Sequence, residues 1–304
     1  MKLAIYKLEF KAGVHFGSGA LSSSNSFFLA DTLFSALYIE AIKLGLSDSF
    51  LSSTVNGDIL FSDAFPYIGE TYFLPKPNIY IEPGDKGDSK IKKGYKKMKY
   101  IPAQLFDDYI AARIDPDKCS ISDLGKEYDH VMASVSMEED DTKPYSVGTF
   151  FFSSGNGLYI IAEFKGDEDK YLFEELMESL SYSGIGGKRS AGKGRFVFKY
   201  AKGTEMIMEM MKQKTGRYML LSTALPKTEE LERALVNASY LLQRRSGFVY
   251  SDDYADTTIK KLDLYTMQAG SCFSQTFGGD VYDVSGGKGI HPVYRYAKGM
   301  FMEV

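Results

Sequence analysis

The chain has 304 residues, which sets a prior of two domains, and its 44% hydrophobic and 25% charged content is that of a folded globular protein and excludes long disorder. A formal net charge of −4 excludes attraction of the whole molecule to nucleic acid or to anionic membrane, so any nucleic-acid role has to rest on a local basic patch. Two distant cysteines (Cys119, Cys272) and three histidines (His15, His130, His291) without C-x-x-C or H-x-x-x-H spacing exclude the common zinc patterns, and no cofactor or metal is expected.

Residues 3 to 10 put Ala4, Tyr6, Leu8 and Phe10 on one face of a strand and Leu3 and Ile5 on the other. The charges of this segment interrupt the apolar core a signal peptide needs, and no apolar run approaches 18 residues, so a cytoplasmic protein with reduced thiols and no membrane contact is expected. A polar loop, His15 to Asn25, leads to a helix expected to begin near Asp31, read as its N-cap, with Leu33, Phe34, Leu37, Tyr38, Ala41 and Leu44 buried and Gly45 as its stop. Ile59–Phe61 and Tyr72–Leu74 read as two antiparallel strands joined through a turn at Pro66–Gly69.

Residues 75 to 143 read as a long insertion. It holds a turn at Pro83–Gly87 and a lysine run (Lys90, Lys92, Lys93, Lys96, Lys97, Lys99). That run reads as a solvated loop, with RNA as the alternative because Tyr95 and Tyr100 are interleaved. A short helix over 102 to 113 and an exposed acidic loop at Glu138–Asp141 complete it. Tyr145–Phe152 and Leu158–Phe164 are expected to form a hairpin about Asn156-Gly157. A helix over 168 to 182 buries Leu172, Phe173, Leu176, Met177 and Leu180, and Phe196, Phe198 and Tyr200 alternate as a strand.

Between those two elements lies Ser183 to Phe196, with five glycines and four cations. Glycine permits close backbone approach, and cations suit phosphate. Gly187 and Gly192-Lys193 have P-loop spacing, but Gly194 stands where Mg²⁺ needs a Ser or Thr hydroxyl. The helix–loop–strand order is also the reverse of a P-loop, which argues against a nucleotide-binding enzyme. Lys193-Gly-Arg-Phe-Val-Phe198 has part of an RNP1 pattern without its full spacing. The chain then turns Lys- and Met-rich near 202 to 214, where the boundary is placed. Strand Tyr218–Ser222, a helix capped by Thr228, strands at Tyr240–Leu242, Gly247–Tyr250 and Leu262–Met267, and a last strand with Val293, Tyr294 and Tyr296 partly echo the first half.

The expected fold is α+β, two tandem ferredoxin-like (RRM-like) domains, 1–205 and 206–304, with the insertion at about 75–143 and the glycine loop at 183–196. Gly184 to Phe196 resembles the G-loop of the RAMP superfamily of CRISPR proteins. His15–Gly19 through Ala30–Ala36, Ser62–Pro66, Leu74–Pro77, and Ala269–Phe273 through His291–Tyr296 sharpen that resemblance to the fourth-subunit family of type III-A Csm effector complexes, over the whole chain. The resemblance implies a non-catalytic subunit that holds the 5′ repeat-derived tag of the guide RNA in antiviral defence. Its implied partners are the large polymerase-type signalling subunit and a stacked backbone subunit, with target RNA an indirect partner. It also implies a thumb-like projection within the insertion. Residues expected at RNA are His15, Phe16, Ser22, Ser23, Gly186, Gly187, Lys188, Arg189, Ser190, Lys193, Arg195, Arg244 and Arg245. The alternative is a metal-independent endoribonuclease of the same superfamily with His15 as general acid–base, since an imidazole titrates near working pH. Asp31 raises a related question, because some RAMP backbone subunits cut target RNA with an aspartate near this loop.

Overall fold

A computed structural model describes residues 1–304 except 18, 82–88, 135–142, 250–253 and 255–256. The turn expected at Pro83–Gly87 and the acidic loop at Glu138–Asp141 therefore lie outside the described residues, as do the side chains of Lys90 and Lys92.

The opening strand, Lys2–Phe10, is central to the main sheet. It pairs antiparallel with Asn156–Phe164 on one side (Tyr6 opposite Ile160) and with Phe196–Tyr200 on the other (Tyr6 opposite Tyr200). Beyond Asn156–Phe164 come Ile59–Phe61 and Phe65–Ile68, then Thr71–Pro75 and Tyr100–Pro102. The alternation of the opening strand is realised on both faces. Tyr6, Leu8 and Phe10 join one core with Leu33, Phe34 and Leu37 of the helix Ala30–Leu44 and with Phe173, Leu176, Met177 and Leu180 of the helix Asp167–Ser183. The last four side chains are fully buried, each contributing roughly 1.5–3 kcal/mol.

Ile5, Tyr159 and Ile161 face the other way, into a second core built with Tyr100, Ile101 and Phe106 of the insertion and Met219, Cys272, Met300 and Met302 of the C-terminal part. An RRM presents this helix-free face to RNA. Here it is covered, so that face of the sheet offers no open aromatic ring for stacking.

Several local expectations are corrected. Tyr145–Phe152 and Leu158–Phe164 form no hairpin: Lys143–Phe152 pairs with Gly125–Ser134, and the turn glycine is Gly155 (φ 81), while Asn156 is buried, its amide accepting from Gly69 N–H and donating to Asp123 C=O. Pro66–Ile68 is strand rather than turn, and Ile59–Phe61 pairs with residues 162–164. Part of the lysine run is a helix, Ser89–Lys97. Lys93, Lys96, Lys97 and Lys99 are exposed, but Tyr100 is buried and Tyr95 stacks on Tyr109 (5.9 Å), so the interleaved tyrosines are core residues. The helix expected over 102–113 is a 3₁₀ turn, Ala103–Leu105, followed by Phe106–Ile110.

In the C-terminal part, Tyr218–Leu220 lies between Cys272–Phe273 and Phe301–Glu303. Met-rich residues 205–210 are helical. The strand expected at 240–242 is Leu242–Arg245, paired with Leu264–Met267, and of the strand expected at 247–250 the described residues 247–249 contribute a single bridge, Phe248 to Lys260. The helix Thr228–Ala234 is capped at Lys227, whose N–H donates to Glu230. Gly278 and Gly279 N–H groups donate to the same carboxylate, and with the Lys227 amide they hold it below the ordinary glutamate value despite burial.

Candidate nucleic-acid interface

The glycine loop leaves the helix Asp167–Ser183 with Gly184 at φ 79 and closes on itself through Ile185 N–H to Gly194 C=O (3.0 Å). Gly194 has φ 78, and a Cβ there would lie 2.1 Å from Ile185 O, so no other residue fits without moving backbone. Gly194 N–H donates to Gly13 C=O, and Gly187 N–H to His15 C=O. The amides of Gly184, Ala191, Gly192 and Lys193 are also bonded internally, so most of the loop's backbone donors are used within the fold. The glycines thus make a tightly built loop.

The cations divide. Arg195 is exposed, while Lys193 is 5% exposed with Nζ donating to His130 Nδ1 at 2.8 Å, and burial pushes its pKa below the ordinary lysine value. Lys188, at φ 59, donates to Tyr145 Oη (3.1 Å) and lies over that ring at 4.6 Å. His130 and Tyr145 belong to the hairpin Gly125–Ser134/Lys143–Phe152, which therefore braces the loop from beneath.

His15 is buried, and its Nδ1 donates to Gly148 C=O of the same hairpin at 2.7 Å, which leaves Nε2 as the acceptor nitrogen. Gly187 lies against its ring, where a Cβ would approach Cδ2 to 2.7 Å. Phe16 is a core side chain, packed on Phe10 (5.8 Å) and Phe28 (5.3 Å), so it offers no open ring for a base. Ser22 is exposed and Ser23 half-buried in the adjoining loop.

Glycine loop and first helix enclose a trough of about 700 Å³. It is lined by Gly17, by Thr32, Ser35, Ala36, Ile39 and Lys43 of the helix, and by 183–190, including Lys188, Arg189 and Ser190. Among the described residues its lining holds three cations and no carboxylate, in a chain of net charge −4, with Lys43 paired to Glu40 at 2.7 Å.

Asp31 is not an N-cap: the helix begins at Ala30, and the Ala30 N–H donates to Asp63 Oδ1 (2.8 Å). Asp31 is 3% exposed and binds two arginines from the C-terminal part. Arg245 reaches it bidentately (Nε to Oδ2 and Nη2 to Oδ1, both 2.8 Å), and Arg295 Nη1 reaches Oδ2 at 2.9 Å. Arg245 thus serves as a clasp between the two parts and touches the trough only through Thr32 Oγ1 (3.4 Å). Arg244 is mostly exposed, 4.0 Å from Asp263. Both Asp31 oxygens thus accept from guanidinium donors, and the carboxylate is engaged in joining the two parts of the chain.

A family model for the CRISPR Csm4 C-terminal domain matches residues 213–304. The CRISPR system Cms protein Csm4 of Streptococcus thermophilus is 35% identical over 316 residues, covering 100% of this chain and 99% of that protein. The chain belongs to the Csm4 family. Csm4 of Mycobacterium tuberculosis is 33% identical, with 99% and 98% covered. Among solved structures, a Csm3–Csm4 subcomplex of the type III-A CRISPR-Cas interference complex superposes with TM-score 0.67 at 16% identity (100% and 99% covered). A Csm1–Csm4 cassette in complex with AMPPNP gives 0.62 at 19% (100% and 98%). At such identities these two establish the shared fold.

For this Csm4-family chain, the trough residues that sequence reasoning missed are Thr32, Ser35, Ile39 and Lys43. Their signal was present as a stripe at i, i+3, i+7 and i+11, on the side of the helix opposite its apolar face. The braces His130 and Tyr145 had no local signal, because they reach the loop only through the pairing of a hairpin 40 to 60 residues upstream. Among the described residues no cluster of His, Cys, Asp or Glu could hold a metal ion, and no helix is long and apolar enough to cross a membrane.

Proposed function

We propose that this protein is a non-catalytic, cytoplasmic RNA-binding subunit of a type III-A Csm complex that holds the 5′ repeat-derived tag of the guide RNA. In this reading it bridges the large signalling subunit to the first stacked backbone subunit. The observation that carries it is the trough between the glycine loop and the first helix, whose described lining brings Lys188 and Arg189 of the loop opposite Lys43, itself paired with Glu40 (2.7 Å), and includes no carboxylate. Phosphate contacts of that kind position a strand without reading its sequence. The bridging role draws support from the relatives, whose structures are described as Csm3–Csm4 and Csm1–Csm4 assemblies.

The division into ferredoxin-like units 1–205 and 206–304 is part of the same proposal. The first is supported by its order of strand, helix, strand pair, strand, helix, strand, with the last strand beside the first. The second is supported by the strand Tyr218–Leu220, the helix Thr228–Ala234 and the strands that follow. His15, Gly186, Gly187, Ser190, Ser22, Ser23, Arg195 and Arg244 are proposed to support RNA contact. The long hairpin Gly125–Phe152 is the proposed thumb.

Guide-RNA affinity measured against salt for Lys188→Ala with Arg189→Ala tests this reading. Two lost phosphate contacts make the single-strand salt slope shallower by about 1.4 and weaken binding for all sequences alike. An unchanged slope in a folded variant overturns it.

A further inference from the structure

We propose that the RNA trough has a second compartment, in which the strand leaving the glycine loop continues as unstacked single-stranded RNA across the first helix, its bases lying against Tyr38 and Tyr294 and a phosphate beside Lys261. The proposal rests on the RNA-binding reading above and extends it.

A second cleft, of about 540 Å³, lies between the first helix and the segment 291–294. It shares Ser35, Ile39 and Lys43 with the first trough, so the two clefts adjoin along this row of the helix. The second part differs in chemistry. Tyr38 and Tyr294 are half-buried, edge to face at 5.6 Å, and Ile42 is 58% exposed beside them. Successive compartments of cationic and then aromatic character match a polymer that alternates phosphate with flat bases.

Charge selects the occupant. The described lining of the second cleft holds Lys43, Lys261 and His291 and no carboxylate; Lys43 is paired with Glu40 (2.7 Å), so Lys261 is the cation this compartment offers a ligand. Behind it, Arg245 and Arg295 share the one carboxylate of Asp31, and Arg295 Nε is buried with no partner among the described residues. Asp263, the nearby acid, is occupied by Lys260 (3.4 Å) and lies 4.0 Å from Arg244. Burial and the charge of Arg295 hold the Lys261 ammonium below the ordinary lysine value, a cost that an adjacent phosphate relieves. An apolar protein surface would gain nothing from this surplus of positive charge, whereas a polyanion with apolar faces gains from both features.

The test uses the full chain with guide RNA carrying 4-thiouridine at successive positions near its 5′ end. Affinity is read against salt for Lys261→Gln, Tyr294→Leu and the Lys188→Ala/Arg189→Ala pair, with folding checked by circular dichroism. Neighbouring positions should crosslink first to the glycine-loop peptide and then to peptides containing Tyr38 or Tyr294. Lys261→Gln should bind more weakly, its deficit shrinking by a factor of about 2.6 between 50 and 200 mM salt, the value for one single-strand phosphate contact. Tyr294→Leu should lose about fivefold or more with an unchanged slope, because stacking is not ionic. If both variants bind as wild type while the loop pair fails, the second compartment is refuted and the RNA reading stands. If the loop pair also binds as wild type, the RNA reading falls and takes this proposal with it. Loss of affinity for a purified partner subunit with guide binding unchanged would make the cleft a protein interface and overturn the proposal.

Discussion

Replacing Asp31 by alanine separates two accounts of the same residue. As a helix cap its carboxylate would contribute about 1 kcal/mol. In the structure it is 3% exposed and accepts from two guanidiniums, of which Arg295 is itself only 5% exposed. Asp31→Ala therefore strands buried positive charge, and breaking such a pair from one side costs about 3–5 kcal/mol. In urea, with a slope of about 3 kcal/mol/M, a loss of 4 kcal/mol lowers the unfolding midpoint by about 1.3 M, against about 0.3 M for a lost cap. Fluorescence and circular dichroism should be followed together, because coincident transitions are needed for a single free energy. Replacing all three residues by apolar ones of similar volume (Asp31→Leu, Arg245→Met, Arg295→Leu) should recover most of the loss, since it removes the stranded charges with their partner. A midpoint shift near 0.3 M for Asp31→Ala would refute the clasp.

Gly194→Ala should cost more than about 1 kcal/mol, and guide affinity with it, because φ 78 disfavours any side chain and the new Cβ meets Ile185 O; a variant with wild-type midpoint and affinity would contradict this. Lys193→Met should leave the salt slope of guide binding unchanged while lowering stability, since Lys193 braces the hairpin through His130 rather than facing solvent; a slope shallower by about 0.7 would return it to the phosphate contacts. Asp63 is wholly buried, and desolvation outweighs the donors Ala30 and Thr223, pushing its pKa up from 3.8 to about 6. The folded pKa is thus the higher one, so the native state binds the proton more tightly. This stabilisation, about 3 kcal/mol, is complete below pH 4 and is lost as pH rises through 6. Wild-type stability relative to Asp63→Asn should accordingly fall between pH 4 and 7, and a flat difference would show that the carboxylate stays ionised.

How much of this could be read in the sequence depended on how local the cause was. The strand Lys2–Phe10, the helices around 30–44 and 167–183 and the glycine loop between helix and strand all rest on side-chain period and on glycine. They stand within a residue or two of the expected places. Asn156-Gly157 misled because an Asn-Gly pair signals a turn only if its flanking strands pair with each other, and here each finds another partner. Phe16 and Lys193 were expected at RNA from the loops they belong to; Phe16 is buried on Phe10 and Phe28, and Lys193 against His130 of a hairpin whose register is not written near it. Asp31 was placed by a short-range capping rule and Arg245 was expected at RNA, while their real relation spans a sequence separation of 214 residues.

The covered sheet bears on how the protein is made. Chains fold from the N-terminus as they are synthesised. A nascent chain that has reached residue 205 holds every strand of the main sheet, yet Ile5, Tyr159 and Ile161 still await Met219, Cys272, Met300 and Met302. Until those residues leave the ribosome, one apolar face of the sheet stays open to water and to other nascent chains. Since Phe301–Glu303 pairs directly with Tyr218–Leu220, that face can be sealed only once residues 301–303 have emerged. The protein should therefore depend on chaperones late in its synthesis, and a ribosome stalled in the C-terminal third should display an aggregation-prone sheet rather than a finished domain.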